Sequence, residues 1–323
     1  MSASELYEKI ALISPKVEVI LRKLYWSNYG LLKKLRPPRN VKPKAPSKKI
    51  DFDKIIEYLK SLGIGEGSLL IVHSSYDALS DTGLSPDQIV DKLLELVGKT
   101  GTLAMPVIRR FKGEPKIADI LKNENLDDLV CKYNVQKTAV TSGLLPYSLM
   151  KRPESVTSRF PLNPLTALGP LAAEMMEHNL EGELEERRPH GKNSSWYYCY
   201  QHNAVVVGLG IKLDHYLTIG HVAEEAMKWP VSVENWYRKR KFIIKDKNFE
   251  TETTVLERKP KWGMLQIADI NAYHDLLNNG LLVEKEIEGV IVGFCESKKY
   301  IDYRKSRDGN GYPYVISKKY INK

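Results

Sequence analysis

The residues best suited to chemistry lie in Thr218-Ile219-Gly220-His221-Val222-Ala223-Glu224. A helix beginning near Thr218 brings residues three apart onto one face, so a hydroxyl, an imidazole and a carboxylate form one column. A carboxylate bonded to one ring nitrogen fixes the imidazole tautomer and leaves the other nitrogen as a base. With an ordinary pKa of about 6.5, such a histidine exchanges protons near neutrality. The same spacing also suits an ordinary pair on a helix surface. A second group, His73-Ser74-Ser75, closes the apolar run Ser68–Val72. Backbone N–H groups and hydroxyls there can face a phosphate or an amide chain, although a simple turn of hydroxyl residues also fits.

The elements that must position these groups alternate from Ile50 onward. Asp51–Leu62 has helical periodicity and stops at Gly63, and Ser68–Val72 is a strand. Ser85 caps an amphipathic helix through about Val97, with Ile89, Leu93, Leu94 and Val97 on its apolar face. Gly101–Val107 is a second strand, Ser142 opens another helix, and Leu171–Asn179 is a further one. The Val-rich strand Ala204–Leu209 leads through Gly208-Leu209-Gly210 to a helix from about Thr218 to Lys228. The C-terminal part changes character: Val231–Arg258 alternates like strands around an Asp246-Lys247-Asn248 turn, Leu265–Asn279 is helical, and Val283–Cys295 returns to strand. The expected fold is an α/β class, a single mixed-sheet α/β/α domain with an antiparallel C-terminal half, preceded by a helical basic arm. The expected division is residues 1–50 as arm and linker and 51–323 as catalytic domain.

Charge narrows the function. The 323 residues carry a formal net charge of +9, and residues 1–50 alone hold twelve Lys or Arg against three Glu. The rest of the chain is therefore neutral, with 37 basic and 37 acidic groups, which argues against nucleic acid as a partner. Pro15–Leu35 reads as a broken amphipathic helix with Val17, Ile20, Leu21, Leu24, Leu31, Leu32 and Leu35 at helical spacing. Arg36-Pro37-Pro38-Arg39 stops it, and Lys42 to Lys49 reads as a linker. Such an arm suits docking on its own domain or a sister subunit; Lys and Arg beside Tyr25, Trp26 and Tyr29 also suit an anionic membrane surface. Apolar runs such as Ala204–Ile211 fall well short of the ~20 residues a membrane helix needs. Lys9, Pro15, Lys16 and Glu18 interrupt any signal-peptide pattern. Three scattered cysteines, Cys131, Cys199 and Cys295, point to reduced thiols in a cytoplasm and to no metal cluster.

Common cofactor signatures are missing. Gly63-Ile64-Gly65-Glu66-Gly67 precedes a strand instead of following one, so it is no dinucleotide loop. Five segments in order nevertheless carry a resemblance: Leu69-Leu70-Ile71-Val72-His73-Ser74-Ser75, Gly101-Thr102-Leu103-Ala104-Met105-Pro106, Thr141-Ser142-Gly143-Leu144-Leu145-Pro146, Pro161 with Ala167-Leu168-Gly169-Pro170-Leu171-Ala172, and Thr218 to Glu224. Together they resemble the aminoglycoside 3-N-acetyltransferase family, whose members move an acetyl group from acetyl-CoA to an amine of an antibiotic or related amino sugar.

The resemblance implies that His221 is the general base, Glu224 its orienting partner and Thr218 a hydroxyl near the acyl carbonyl. It places His73, Ser74 and Ser75 along the pantetheine arm of acetyl-CoA, or of another acyl-CoA, with Ser158 in a CoA-contacting segment, and needs no metal. Asp77 and His215 are the candidate substrate contacts, Asp77 for its place behind the serines and His215 for its place in the loop before Thr218. The chain departs from the family pattern at Thr157-Ser158-Arg159-Phe160-Pro161-Leu162-Asn163-Pro164, where Arg-Ser-x-His-Pro-x-x-Ser is usual. Leu217 stands where Asn or Asp often precedes the threonine. These departures leave two acceptors open, an aminoglycoside-type amino sugar linked to antibiotic resistance and a nucleotide-linked amino sugar in surface-polysaccharide synthesis. A non-catalytic relative recruited through its arm is the third alternative.

Overall fold

Alternation along the central strands decides the architecture. A computed structural model describes residues 3–35, 49–121, 126, 128–231 and 234–317. Strands β1 (Leu69–Ser74), β2 (Thr102–Pro106), β3 (Val130–Asn134), β4 (Val156–Thr157), β5 (Leu165–Leu168), β6 (Val205–Leu209), β7 (Tyr237–Asp246), β8 (Phe249–Arg258), β9 (Leu282–Ile287) and β10 (Val290–Glu296) follow in chain order. Seven form one mixed sheet in the order β4-β5-β2-β1-β6-β10-β9. β1 runs parallel to β2 and β6, whereas β10 is antiparallel to β6 and β5 to β2. Successive side chains on a strand point to opposite faces. Leu70, Val72, Leu103, Met105, Val207 and Val292 therefore enter one core, with Phe52, Ile55, Leu59, Ile89 and Leu93 from helices Phe52–Ser61 and Pro86–Val97. Leu69, Ile71, Ala104, Val206 and Cys295 enter the other core, with Trp196, Ile219, Val222 and Ile301. Both sheet faces are apolar, so both must be covered, and the expected three-layer arrangement results.

Local signals set several boundaries. Ser85 accepts from the Gln88 N–H while the Gln88 side chain accepts from the Ser85 N–H, a reciprocal cap that opens the helix Pro86–Val97. Asp51 caps Phe52–Ser61 in a similar way. Other boundaries differ from expectation. The β7–β8 hairpin turns at Lys247, as predicted, yet it joins β3 in a separate three-stranded sheet with its own core of Phe111, Tyr133, Phe242, Ile244 and Val255. Val283–Cys295 is two strands, because Glu288 and Gly289 both take positive φ (51° and 83°) in a tight hairpin turn. The predicted helix 265–279 is a short helix Pro260–Leu265 followed by Asp269–Asn278. The predicted helix 218–228 is a 3₁₀ turn Thr218–His221 running into a single α-turn, Val222–Glu225.

The arm packs against its own chain. Helices Ala3–Ala11, Pro15–Ser27 and Tyr29–Leu35 precede the elements of the large sheet, and the second starts at Ser14, whose Oγ accepts from the Val17 N–H. Its inward face differs from the expected apolar stripe: Glu18 and Val19 are buried, whereas Ile20 and Leu24 are each 57% exposed. The reason is Glu18, which accepts hydrogen bonds from the N–H groups of Ile270 (2.9 Å) and Asn271 (3.0 Å) at the start of helix Asp269–Asn278. Satisfying those end-of-helix donors turns the carboxylate side inward and the isoleucine outward. The predicted stop at residues 36–39, and the linker up to residue 48, lie outside the described residues. No helix among the described residues is long and apolar enough to cross a membrane.

Candidate active site

β6 ends at Leu209 in the middle of the large sheet, and the chain then leaves through Gly210 toward the Thr218–His221 turn. Gly210 has φ +71°, and a Cβ there would lie 2.6 Å from the Cβ of Ala78, so glycine lets this loop pass close to the segment after β1. Gly220 serves a second close approach. A Cβ on it would lie 2.2 Å from the Tyr300 hydroxyl, so its absence lets helix Ser297–Ser306 lie directly on the turn that carries His221.

The imidazole and carboxylate of the predicted column meet, whereas Thr218 Oγ1 faces the Tyr216 carbonyl at 3.4 Å. His221 Nδ1 is 3.0 Å from Glu224 Oε2, and Glu224 is wholly buried, whereas the His221 side chain is 26% exposed. Sequence reasoning missed the groups that surround the pair. Arg258, the last residue of β8, sends Nη2 to Glu224 Oε2 (3.0 Å) and Glu225 Oε1 (2.7 Å), while its Nη1 lies 2.7 Å from His221 Nδ1. Arg304 holds the other Glu224 oxygen and donates to the Tyr300 hydroxyl at 3.1 Å. Glu225 accepts the His190 N–H at 2.8 Å, and the His190 ring stands edge-on to His221 with centroids 5.2 Å apart. Tyr314 accepts from Arg258 beside the imidazole. Two buried carboxylates thus face two buried guanidinium groups, so the charges of this cluster offset one another. Arg258, Arg304, Glu225 and Tyr314 have no signal of their own in the sequence, since their partners come from distant segments.

These neighbours set the titration of the site. Burial pushes the carboxyls of Glu224 and Glu225 up, but their partners outweigh it: Arg304 and Arg258, with the His221 hydrogen bond, hold Glu224 well below the usual range, and contacts with His190 and Arg258 hold down Glu225. Burial and the Arg258 charge lower His221 to about 4, against the opposing pull of Glu224. The imidazole is therefore neutral at pH 7. Nδ1 lies between an acceptor, Glu224, and a donor, Arg258, which favour opposite tautomers. With the proton on Nδ1 toward Glu224, Nε2 carries the lone pair on the cavity side.

Two cavities have a lining residue in common here. One, of about 180 Å³, is lined by Asp214, His215, Thr218, His221, Asp269 and Arg304 among others. The other, of about 230 Å³, is lined by His73, Ser74, Thr141, Ser142, Tyr216 and Thr218 among others. Thr218 borders both. His73 is buried, its imidazole is lowered to about 4 by that burial, and Nε2 has no hydrogen-bond partner among the described residues. An orphaned ring nitrogen on a narrow cavity wall suits a ligand with polar groups along a thin chain, which is the chemistry of a pantetheine amide arm.

Other predicted positions lie elsewhere. Ser75 opens the short helix Tyr76–Leu79 and does not line either cavity; its N–H instead bonds to the Leu209 carbonyl at 2.9 Å. Asp77 is exposed on that helix, away from both cavities. Ser158 is buried, donates to Asn179 and accepts from the Phe160 N–H at 3.1 Å, so its hydroxyl is occupied within the fold. Ser75 and Asp77 thus lie outside the linings of the two cavities, and the Ser158 hydroxyl is engaged within the fold. His215 does reach the smaller cavity, where Nδ1 lies 3.3 Å from Asp269 Oδ2 and that hydrogen bond raises its pKa. Among the described residues no group of three or more His, Cys, Asp and Glu could hold a metal ion.

Comparison with known proteins places this geometry in a family. A family model described as aminoglycoside 3-N-acetyltransferase matches residues 71–306. The chain is 30% identical over 174 residues to aminoglycoside N(3)-acetyltransferase IX of Micromonospora chalcea, covering 51% of this chain and 58% of that protein. It is 26% identical over 186 residues to aminoglycoside N(3)-acetyltransferase VIII of Streptomyces fradiae, covering 55% and 61%. The matched stretch thus spans about three fifths of the length of these relatives. The fold is similar to the crystal structure of aminoglycoside acetyltransferase AAC(3)-Xa, with TM-score 0.62, 21% identity and coverage of 79% of this chain and 90% of that one. It is also similar to AAC-IIIb in a binary structure with CoASH, with TM-score 0.59, 18% identity and coverage of 80% and 97%. The chain belongs to the aminoglycoside 3-N-acetyltransferase family.

Proposed function

We propose that this protein transfers an acetyl group from acetyl-CoA to an amine of an amino sugar, with residues 51–323 as the catalytic domain. The observation that carries the reading is the placing of Thr218, which lines both the cavity bordered by His221, the partner of Glu224, and the cavity bordered by His73 and Ser74. The larger cavity takes the pantetheine arm, and the bound thioester supplies an activated acyl carbon. His221 Nε2 takes a proton from the acceptor nitrogen as that nitrogen attacks, because a protonated amine has no lone pair to attack with. Glu224 stabilises the imidazolium that results, while Arg258 and Arg304 keep Glu224 ionised and fixed in place. The Thr218 hydroxyl donates to the oxygen on which negative charge grows. The new bond is C–N, the broken bond is C–S, and the proton held on His221 is returned to the departing sulfur.

Asp214 supplies an anionic group for an aminium ion on the acceptor side. A nucleotide-linked amino sugar is the second reading for the acceptor, favoured by the cations Arg22 and Arg304, which already occupy carboxylates on or beside this wall. The arm's contact with its own chain is direct; a membrane-surface role for it draws on the outward Ile13, Ile20, Leu24 and Leu31. The cytoplasm, where acyl-CoA is available, suits the three unpaired cysteines. The test is mass spectrometry of products from acetyl-CoA and a panel of amino sugars, together with thermal stability in the presence of CoA. His221→Ala is expected to lower turnover about 10²- to 10⁴-fold. No product and no stabilisation by CoA would favour the non-catalytic alternative.

A further inference from the structure

The acceptor wall of the smaller cavity is completed by a residue from outside the matched family region, which begins at residue 71. Asp269 lines that cavity, and its Oδ2 is held at 2.9 Å by Arg22 Nη2 of the N-terminal arm. Arg22 is itself fixed, because its Nε donates at 3.0 Å to Glu18 Oε1, and Glu18 is wholly buried. Glu18 in turn accepts from the backbone of Ile270 and Asn271 and from Asn271 Nδ2 (2.8 Å), locking the arm onto the helix that Asp269 begins. Asn271 Nδ2 also reaches the Ala11 carbonyl at 3.0 Å, and His274 Nε2 lies 2.9 Å from Glu8. The arm is therefore bonded to this helix at several points along its length, and Arg22 is the member that reaches the cavity wall. The same Asp269 oxygen faces His215 Nδ1 at 3.3 Å.

We propose that Arg22 is a specificity-determining residue: by occupying Asp269 it removes one anionic anchor from the acceptor pocket and turns the enzyme away from polycationic acceptors. This rests on the smaller cavity being the acceptor side. A polycationic aminoglycoside gains most from several uncommitted carboxylates, whereas an amino sugar with one amine needs only one. With Arg22 in place, Asp269 already faces two cationic or proton-bearing partners, and Asp214 is the remaining carboxylate on the wall. Arg22 does not touch the reacting atoms; it acts through Asp269.

The experiment compares kcat and KM for sisomicin, as a polycationic probe, and glucosamine, as a monoamine, in full-length wild type, Arg22→Met, Arg22→Lys and the same changes in an Asp269→Asn background. Arg22→Met is expected to raise the preference for sisomicin over glucosamine about tenfold, the size of one charge-assisted contact, with the change carried in KM. Arg22→Lys keeps the charge and stays near wild type, and in Asp269→Asn the effect of Arg22→Met disappears. A purely structural role for Arg22 would instead lower stability and affect both acceptors alike. An NMR titration of His215 supplies a readout independent of turnover. His215 is faced by Asp214 of its own loop, by Asp269, and through it by Arg22, with His221 and Tyr7 near the same carboxylate. Removing the Arg22 charge moves its pKa up. Unchanged acceptor preference in an active Arg22→Met enzyme overturns the proposal. A wild type inactive on every amino sugar, with the His215 shift still present, overturns it by removing the acceptor role of the cavity while leaving the Arg22–Asp269–His215 link intact.

Discussion

Replacing Arg258 with Met separates the electrostatics of the site from its geometry. Its guanidinium lies 2.7 Å from His221 Nδ1 and also binds Glu224 and Glu225. At an effective dielectric of about 20, a unit charge about 4 Å away is worth roughly 4 kcal/mol, equivalent to about three pKa units as an upper limit. Loss of the cation also leaves the two carboxylates less compensated, which favours the imidazolium further. The base therefore titrates about one to three units higher in Arg258→Met than the value of about 4 in the intact site. In kcat/KM against pH, which reports the free enzyme, the wild type stays flat down to about pH 5 on its acidic side. The variant loses activity over that range as His221 becomes protonated and can no longer accept a proton. Removing one partner from a buried ion network costs about 3–5 kcal/mol, so Arg258→Lys, which keeps a charge at the site, is measured alongside. A well-folded Arg258→Met enzyme with an unmoved acidic limb would show that this arginine does not set the base, and the electrostatic account would fall.

Three further outcomes follow from individual contacts. Thr218→Val removes the hydroxyl of the residue that lines both cavities and lowers kcat about tenfold or more, with acetyl-CoA binding by calorimetry retained; an unchanged kcat rejects its role as donor. Gly220→Ala drives a methyl group into Tyr300, displacing the helix that supplies Arg304, and costs about 1–3 kcal/mol in chemical denaturation along with most activity. His73 makes stability fall as pH drops from about 6.5 toward 4: the unfolded chain takes up the proton first, and the buried native imidazole resists until about 4. The loss from this group is about 3 kcal/mol across that window, beside a contribution of the same sign from His221, and His73→Leu makes this part of the stability curve shallower. A His73→Leu curve parallel to the wild type would refute it.

The layered core was legible because periodicity and burial report the same thing. The Val-rich segment at 205–209, the capped helix after Ser85 and the turn at Asp246-Lys247-Asn248 each carry their own local signal. The His221–Glu224 pair was legible for a related reason, since two side chains three residues apart meet through the geometry of one turn. The separate sheet was not, because pairing of β3 with β7 joins residues more than a hundred positions apart and leaves no mark in either segment. The same holds for Arg258 and Arg304, each of which reads as one basic residue among many until the fold brings it to Glu224. Ser158 shows the opposite failure: a motif position kept its residue while the hydroxyl was taken up by Asn179. Glu18 inverted the expected face of its helix, since a hydropathy pattern gives no weight to a carboxylate that finds three N–H donors.

The contribution of Arg258 from the tip of β8 has a consequence for durability. The strand carrying it belongs to a small three-stranded sheet with a separate core, distinct from the large sheet that carries the His221 turn. Fraying of that minor layer would withdraw a cation from the reaction centre while the main scaffold still stands. Under the proposed mechanism activity is thus tied to the smaller of the two sheets, and heat or denaturant is expected to silence it before bulk secondary structure is lost.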